Sequence, residues 1–447
     1  MNSHSSLRSM SKRPWDVAPF WLFDRGADFP ALEQDLECDT AIIGGGVIGL
    51  STAFALAGHQ RIVVLERDKI CEGSSGWNAG VLSLATTVDL RVVEKLFGEA
   101  TARLLYAQLS STLDAVLSSL SLSEDILQRG NSLYLASKRR HLKILEDELA
   151  IRERYGLPSR LMSAKELPEF VSGFHGGLVL GGENAVQPVR LLSAMAEAVC
   201  KSGGRIFEMT PVAAWRHEGS KFVLRAGNHI VRANNLILST GVYADAEPEY
   251  RQINRLLVPV IGEVIVTEAS EEIAKMVNET SHIAMWDTLQ INYTYARYLP
   301  DGRILTGGAE IPGVMRPRIL SRDSSFARHL HTTAVRRHRF RIPPVEYAWR
   351  ASLALPADGL PMLKRVGYDG GTLIVAATDG LPSGFLLGKT IAEILLERSS
   401  GLETILSQTR PLAGPARLLA LVPQLPAIRR LALRLAFIGM RIQDLLF

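Results

Sequence analysis

The stretch Cys38–Glu66, CDTAIIGGGVIGLSTAFALAGHQRIVVLE, decides the fold. Cys38 to Ile43 is an apolar run of the length of a short buried strand. The turn Gly44-Gly45-Gly46-Val47-Ile48-Gly49 follows at once, Leu50 to Ala57 has helical character, and Arg61 to Leu65 is a second apolar strand closed by Glu66. Strand, glycine turn, helix, strand is the opening of a doubly wound parallel sheet. Gly44, Gly46 and Gly49 fit G-x-G-x-x-G, and each has its own task. Gly44 permits the tight turn, Gly46 lets the backbone approach a pyrophosphate, and Gly49 lets the helix pack closely on the strand. The opening amides, those of Val47 and Ile48 among them, would face the phosphates with about half a positive charge from the helix dipole. Glu66 stands about 20 residues after the first glycine, where a carboxylate accepts from ribose hydroxyls. A dinucleotide site is therefore expected, because a glycine turn that merely packs explains neither the order of elements nor the terminal acid.

Outward from that stretch, 447 residues allow two or three domains. With 47% hydrophobic and 21% charged residues the balance is globular, which sets disorder aside. Cys38, Cys71 and Cys200 are far apart and in no ligand spacing, so neither a disulfide framework nor a metal site is expected and a reducing, cytoplasmic location fits. No run of about 18 uncharged apolar residues occurs, and Pro14 to Phe23 interrupts any export signal. Between Pro415 and Phe447, Arg417, Arg429, Arg430, Arg434 and Arg441 stand against Asp444 alone, so this tail carries the whole formal excess of +4. The near-neutral remainder argues against nucleic-acid binding.

Helices are expected over Leu90–Leu120, Arg139–Tyr155, Val189–Ser202, Arg322–Arg339 and Gly384–Glu397, and short strands between Gly204 and Ser239. Val258–Thr267 and Gln290–Leu299 are β-branched and aromatic runs suited to an antiparallel floor, with further strands at Tyr347–Leu355 and Thr372–Ala377. The expected organisation is an N-terminal extension (1–37), a discontinuous cofactor domain (38–89, 181–250 and 345–400), an inserted α+β substrate domain (90–180 and 251–344) and a basic tail (401–447). Ala427 to Phe447 reads as a basic amphipathic helix, suited to packing on the body or a second subunit, or to peripheral docking on the inner membrane surface.

Several separate stretches resemble the D-amino acid oxidase superfamily of FAD enzymes, which includes glycine, sarcosine and γ-glutamylputrescine oxidases. They are Asp39–Gly46, Gly73-Ser74-Ser75-Gly76-Trp77-Asn78-Ala79-Gly80, Leu238–Gly241, Asp301–Gly308 and Asp358–Pro361. The resemblance implies an α/β fold, with a Rossmann-like cofactor domain of the glutathione-reductase type and a substrate domain inserted on an antiparallel sheet. It implies FAD as cofactor, with contacts from Ser74, Ser75, Asn78 and Ala79 along the flavin and pyrophosphate. Thr240 and Gly241 would cover the adenosine end, and Ser383, Gly384 and Phe385 would form a helix start aimed at the flavin pyrimidine. Val47, Ile48, Arg67 and Val212 belong to the same implied set. Trp77 stands where relatives commonly carry a polar residue, and no histidine lies between Gly73 and Val81. The covalent flavin links of some relatives therefore have no matching residue, and Cys71 reads as a small buried thiol.

The reaction implied is oxidation of a carbon–nitrogen bond in a small amine or amino acid, with oxygen or a quinone or carrier as acceptor. Such chemistry needs positioning and desolvation rather than an acid–base triad. For a substrate carboxylate, a two-pronged arginine is the expected clamp, and Arg297 and Arg350 are the candidates. Tyr295 lies two residues from Arg297 on one strand face, with Tyr293 beyond it. Arg322 to Arg341 reads as a charged surface helix. Oxidation of a 2-hydroxy acid or polyol, or electron relay within a complex, are the other readings.

Overall fold

The computed structural model describes residues 20–24, 26–84, 89–243, 257–288, 293–313, 317–356, 359–398 and 401–407. The basic tail expected to be amphipathic lies outside these residues from 408 onward. Two sheets organise the chain, one of eight strands and one of ten.

The first sheet is centred on Leu36–Ile43, parallel on one side to Ile62–Leu65 and on the other to His229–Leu238. Arg205–Phe207 extends it beyond Ile62–Leu65, and Gly371–Ala377 extends it beyond His229–Leu238, all in parallel. The register sets Ile43 beside both Leu65 and Leu238, so three strand ends meet at one edge. All four residues of Ile62–Leu65 are buried, which explains its unbroken apolar run: covered on both faces, a parallel strand has no solvent side to alternate with. Val212–Glu218 and Lys221–Ala226 form a hairpin on the flank of His229–Leu238, and Met362–Tyr368 closes the other edge.

The helix Val47–Leu56 crosses from the glycine turn and packs on the late helix Leu381–Leu395. Contact is close because small residues face it. A Cβ on Gly384 would meet Val47 Cγ1 at 2.5 Å, and Ser51 Oγ donates to the Gly384 carbonyl at 3.0 Å. The late helix begins at Leu381, one turn before the expected Gly384, because Gly380 takes φ 81° as N-cap and Pro382 supplies the preset φ of a first turn.

The second sheet runs Arg318–Ile319, Val345–Pro356, Leu257–Thr267, Ile304–Pro312, Thr294–Tyr298, His282–Asp287, Leu127–Leu135, Gly176–Val186 and Val81–Leu82, with Ser159–Ser163 on Gly176–Val186. Its pairings are antiparallel except that between His282–Asp287 and Leu127–Leu135. Val345–Pro356, grouped above with the cofactor segments, pairs here along its whole length with Leu257–Thr267. The expected helix Leu90–Leu120 is two helices, Leu90–Phe97 and Glu99–Ser119, broken where Gly98 adopts φ 82°. Leu142–Arg154 and Ser325–Arg337 fall within their expected spans, and Pro188–Lys201 is offset by one residue from Val189–Ser202, with Pro188 at its first position.

Candidate active site

A cleft of about 590 Å³ opens where the edge of the first sheet meets the second. Its size suits a small-molecule site. One wall is the glycine turn with Gly44, Gly46, Val47 and Ile48, and with Glu66 and Arg67 at the next strand end. Ser74, Ser75, Trp77, Asn78 and Ala79 continue that wall, and Val212, Thr240 and Gly241 also line the cleft.

Each glycine is required in a way the structure makes explicit. Gly44 has φ 111°, and a Cβ there would sit 2.8 Å from the Ser239 carbonyl oxygen. A Cβ on Gly49 would collide with the Gly44 carbonyl oxygen, which keeps Gly49 out of the cleft as the packing glycine. Gly46, as N-cap, offers no side chain to the first turn. Ser75 Oγ accepts from Val47 N at 3.0 Å, and Gly46, Val47 and Ile48 of the opening turn line the cleft.

Glu66 accepts from Gly45 N at 2.6 Å and from Asp68 N at 3.0 Å, bracing the turn from behind. Burial raises its pKa, and the two amide bonds oppose that rise. An ionised carboxylate has about four acceptor sites, so these bonds leave capacity for ribose hydroxyls. The donor set is thus backbone amides at a helix start, a carboxylate one strand away and a floor without Cβ atoms. It fits the diphosphate and ribose of a dinucleotide.

The loop 73–80 is organised mainly by its own side chains. Asn78 Nδ2 donates to the Ser75 carbonyl at 2.6 Å and Asn78 Oδ1 accepts from Gly80 N at 2.7 Å, so its amide shapes the loop. Ser74 Oγ donates to the Ser352 carbonyl, tying the loop to the second sheet. Cys71 is buried and lines the cleft at φ 66°.

The opposite wall comes from the second sheet: Gly262, Glu263, Val264, Tyr293, Tyr295, Gly308 and Ala351 to Ala354. Tyr295 stacks on Tyr293 with ring centroids 6.3 Å apart, and its ring covers Gly307, where a Cβ would strike the phenol. Thr378, Asp379, Gly380 and Leu381 close one end. Ser383, Gly384 and Phe385 do not line the cleft; starting a turn early, the helix carries them into the core, with Phe385 1% exposed.

Neither arginine stands as a clamp. Opposed residues of an antiparallel pair share a face, so Val264, Trp349 and Gly307 put their strands' cofactor side with Tyr295, and Trp349 Nε1 donates to the Trp77 carbonyl at 2.9 Å. Arg350, next to Trp349, does not line the cleft; it lies opposite Glu263 in the strand register and pairs with it. Arg297 shares the face of Tyr295 but passes behind the loop, 3% exposed, and donates to the carbonyls of Ala79 at 2.8 Å and Val186 at 2.6 Å. The two-residue period that placed Arg297 beside Tyr295 carried no information about the loop that would cover it.

Gly262–Val264, Trp215 and the segment Thr378–Leu381 line the cleft outside the expected set of site residues. The last adjoins Ser383 and was within reach of a helix-start argument from Gly380 and Pro382. The others carry no local signal. Among the described residues no cluster of potential metal ligands occurs, and no helix is long and apolar enough to cross a membrane.

Residues 39–394 match the family described as FAD dependent oxidoreductase. The chain is 27% identical over 385 residues to γ-glutamylputrescine oxidoreductase of Escherichia coli, covering 83% of this chain and 86% of that one. It is 22% identical over 385 residues to glycine oxidase of Geobacillus kaustophilus, covering 82% and 94%. The crystal structure of glycine oxidase from Geobacillus kaustophilus superposes with a TM-score of 0.70 at 21% identity, over 84% of this chain and all of that one.

Proposed function

The chain belongs to the FAD-dependent oxidoreductase family, and from that premise we propose that it oxidises the carbon–nitrogen bond of a small amine or amino acid, giving an imine that water hydrolyses. The observation that carries this reading is the pairing, in one cleft, of the glycine-turn wall with an apolar and aromatic wall of Val264, Tyr293, Tyr295 and Leu353. Relatives named for an amine and an amino acid substrate align with more than four-fifths of the chain.

FAD, held non-covalently, supplies the two-electron acceptor when bound. The chain's own residues would do the rest. Gly44, Gly46, Val47, Ile48, Glu66 and Arg67 would bind the diphosphate and adenosine ribose, with Val212, Thr240 and Gly241 beyond them. The loop Ser74–Ala79 would flank the ring. On the facing wall, Val264 and Leu353 would exclude water and favour the neutral amine, whose nitrogen lone pair drives loss of hydride from the adjacent carbon. Tyr295 would orient the substrate through its hydroxyl. Oxygen, or a quinone or other carrier, would take the electrons. A cytoplasmic location, with the basic tail at a subunit or inner membrane surface, accompanies this reading.

The test is the visible spectrum of purified protein followed by anaerobic addition of amines, amino acids and 2-hydroxy acids in turn. Bleaching of the flavin band by an amine or amino acid is expected. Bleaching by hydroxy acids alone would replace the reading with carbon–oxygen oxidation, and a bound flavin that none of them reduces would replace it with electron relay.

A further inference from the structure

Arg297 is an expensive residue to place where it lies. It is 3% exposed, no carboxylate pairs with it among the described residues, and its Nε finds no acceptor. The groups the guanidinium touches are neutral, the carbonyls of Ala79 and Val186 and the ring of Trp21 with its centroid 5.2 Å from the guanidinium carbon, while the Asp301 carboxylate acts on its charge from beyond contact. Trp21 is itself locked, its Nε1 donating to the Asn78 carbonyl at 2.8 Å and its own carbonyl accepting from Gln187 Nε2 at 2.9 Å. Val186 N donates to the Gly80 carbonyl at 2.7 Å, and a Cβ on Gly80 would collide with Arg297 Nη1. The loop, the strand Gly176–Val186 and the segment around Trp21 thus converge on one cation.

Carbonyl dipoles and a ring face offset only part of the cost of burying an unpaired charge. Burial lowers the Arg297 pKa to about 9, with the Asp301 charge opposing that fall, which leaves the group charged at neutral pH. Ala79 and Asn78 line the cleft and Arg297 does not, so the charge stands one peptide layer behind the cleft wall. A cation so placed is stabilised when negative charge arrives on the other side of that layer.

We propose that Arg297 is a positioning residue for the cofactor: it clamps the carbonyls of Ala79 and Val186 to hold the loop, and its charge, which no carboxylate in contact neutralises, raises the electron affinity of FAD across the loop. This rests on the cofactor placement proposed above. The charge and the clamp separate by substitution. Arg297→Met removes both, whereas Arg297→Lys keeps a charge and loses the planar fork.

The experiment measures FAD affinity by reconstitution, and the ratio of reduced to oxidised bound FAD in equilibrium with a reference dye, across pH. In Arg297→Met the ratio is expected to fall about tenfold at fixed dye potential, the effect of one charge acting over roughly 10 Å of protein. In Arg297→Lys, FAD affinity falls while the ratio at low pH stays at the wild-type value. As pH rises the buried lysine loses its proton, and the ratio steps down to that of the Met variant. A ratio unchanged in the Met variant at full FAD occupancy would overturn the electrostatic role. Should the Met variant not fold, absence of the pH step in the Lys variant overturns it equally. A wild-type protein that cannot be loaded with FAD would fail earlier, at the cofactor site itself, and take this role with it.

Discussion

The two walls of the cleft are built from different material. The glycine-turn wall is backbone: amides at a helix start and positions where a Cβ does not fit. The facing wall is side chains carried by strands far apart in sequence, Val264, Tyr293, Tyr295 and Leu353. A backbone wall tolerates no variation in residue size and binds what every dinucleotide has. A side-chain wall can change its chemistry without changing the fold, which is how one scaffold carries different substrates.

The sharpest way to break the comparison is at Gly49. Because a Cβ there runs into the Gly44 carbonyl oxygen, Gly49→Ala is expected to cost about 3 kcal/mol or more and to lose FAD altogether. Denaturant melts and flavin content check both; a stable, yellow variant would contradict the rigid-wall account.

Next in size is Arg350→Met. It leaves Glu263, 2% exposed, without its cation, and a loss of about 3 kcal/mol in stability is expected. Since Arg350 is already paired with Glu263 and does not line the cleft, KM for an amino acid should not move. A large rise in KM at unchanged stability would restore Arg350 as the carboxylate clamp.

A smaller effect comes from outside both walls, where Glu148 accepts from Leu90 N at 3.3 Å and Arg91 N at 3.1 Å and Glu183 lies 1% exposed. Burial pushes Glu183 up to about 7, and burial with the nearby Asp89 charge pushes Glu148 up to about 7. Raised carboxyl pKa values mean that the fold prefers the protonated form. Their stabilising contribution is complete below 4.5 and is lost as pH rises through about 7. Glu183→Gln should therefore be more stable than wild type at pH ~8 relative to pH ~5, by about 2 kcal/mol in the difference. Parallel stability curves for the two proteins would show that Glu183 is ionised in the fold.

Least disruptive is Tyr295→Phe. FAD content and melting should stay at wild-type values while the anaerobic bleaching rate falls about tenfold, the worth of one substrate hydrogen bond. An unchanged rate would reduce Tyr295 to a packing residue of the side-chain wall.

Legibility in the sequence followed the same division. Strand, turn, helix and Glu66 were readable between Cys38 and Glu66 because every element of that unit is local and each glycine answers a steric demand within a few residues. The late helix was readable too, though its start was placed at Gly384 instead of Leu381, a shift that moved three expected contacts into the core. Arg297 and Arg350, the expected clamps, both lie outside the cleft lining. Alternation along a strand says which residues share a face, not which face meets the cofactor loop or whether a loop carbonyl reaches the side chain first.

What the sequence by itself determined is the dinucleotide-binding half, since a tight turn, a close approach and a helix start are contests between near neighbours along the chain. Only the tertiary structure decided that Arg297 is sealed behind Ala79 and Val186, that Arg350 faces Glu263, and that Gly262–Val264 joins the cleft. Those outcomes depend on how two sheets meet, and the packing energy that settles it is summed over contacts hundreds of residues apart.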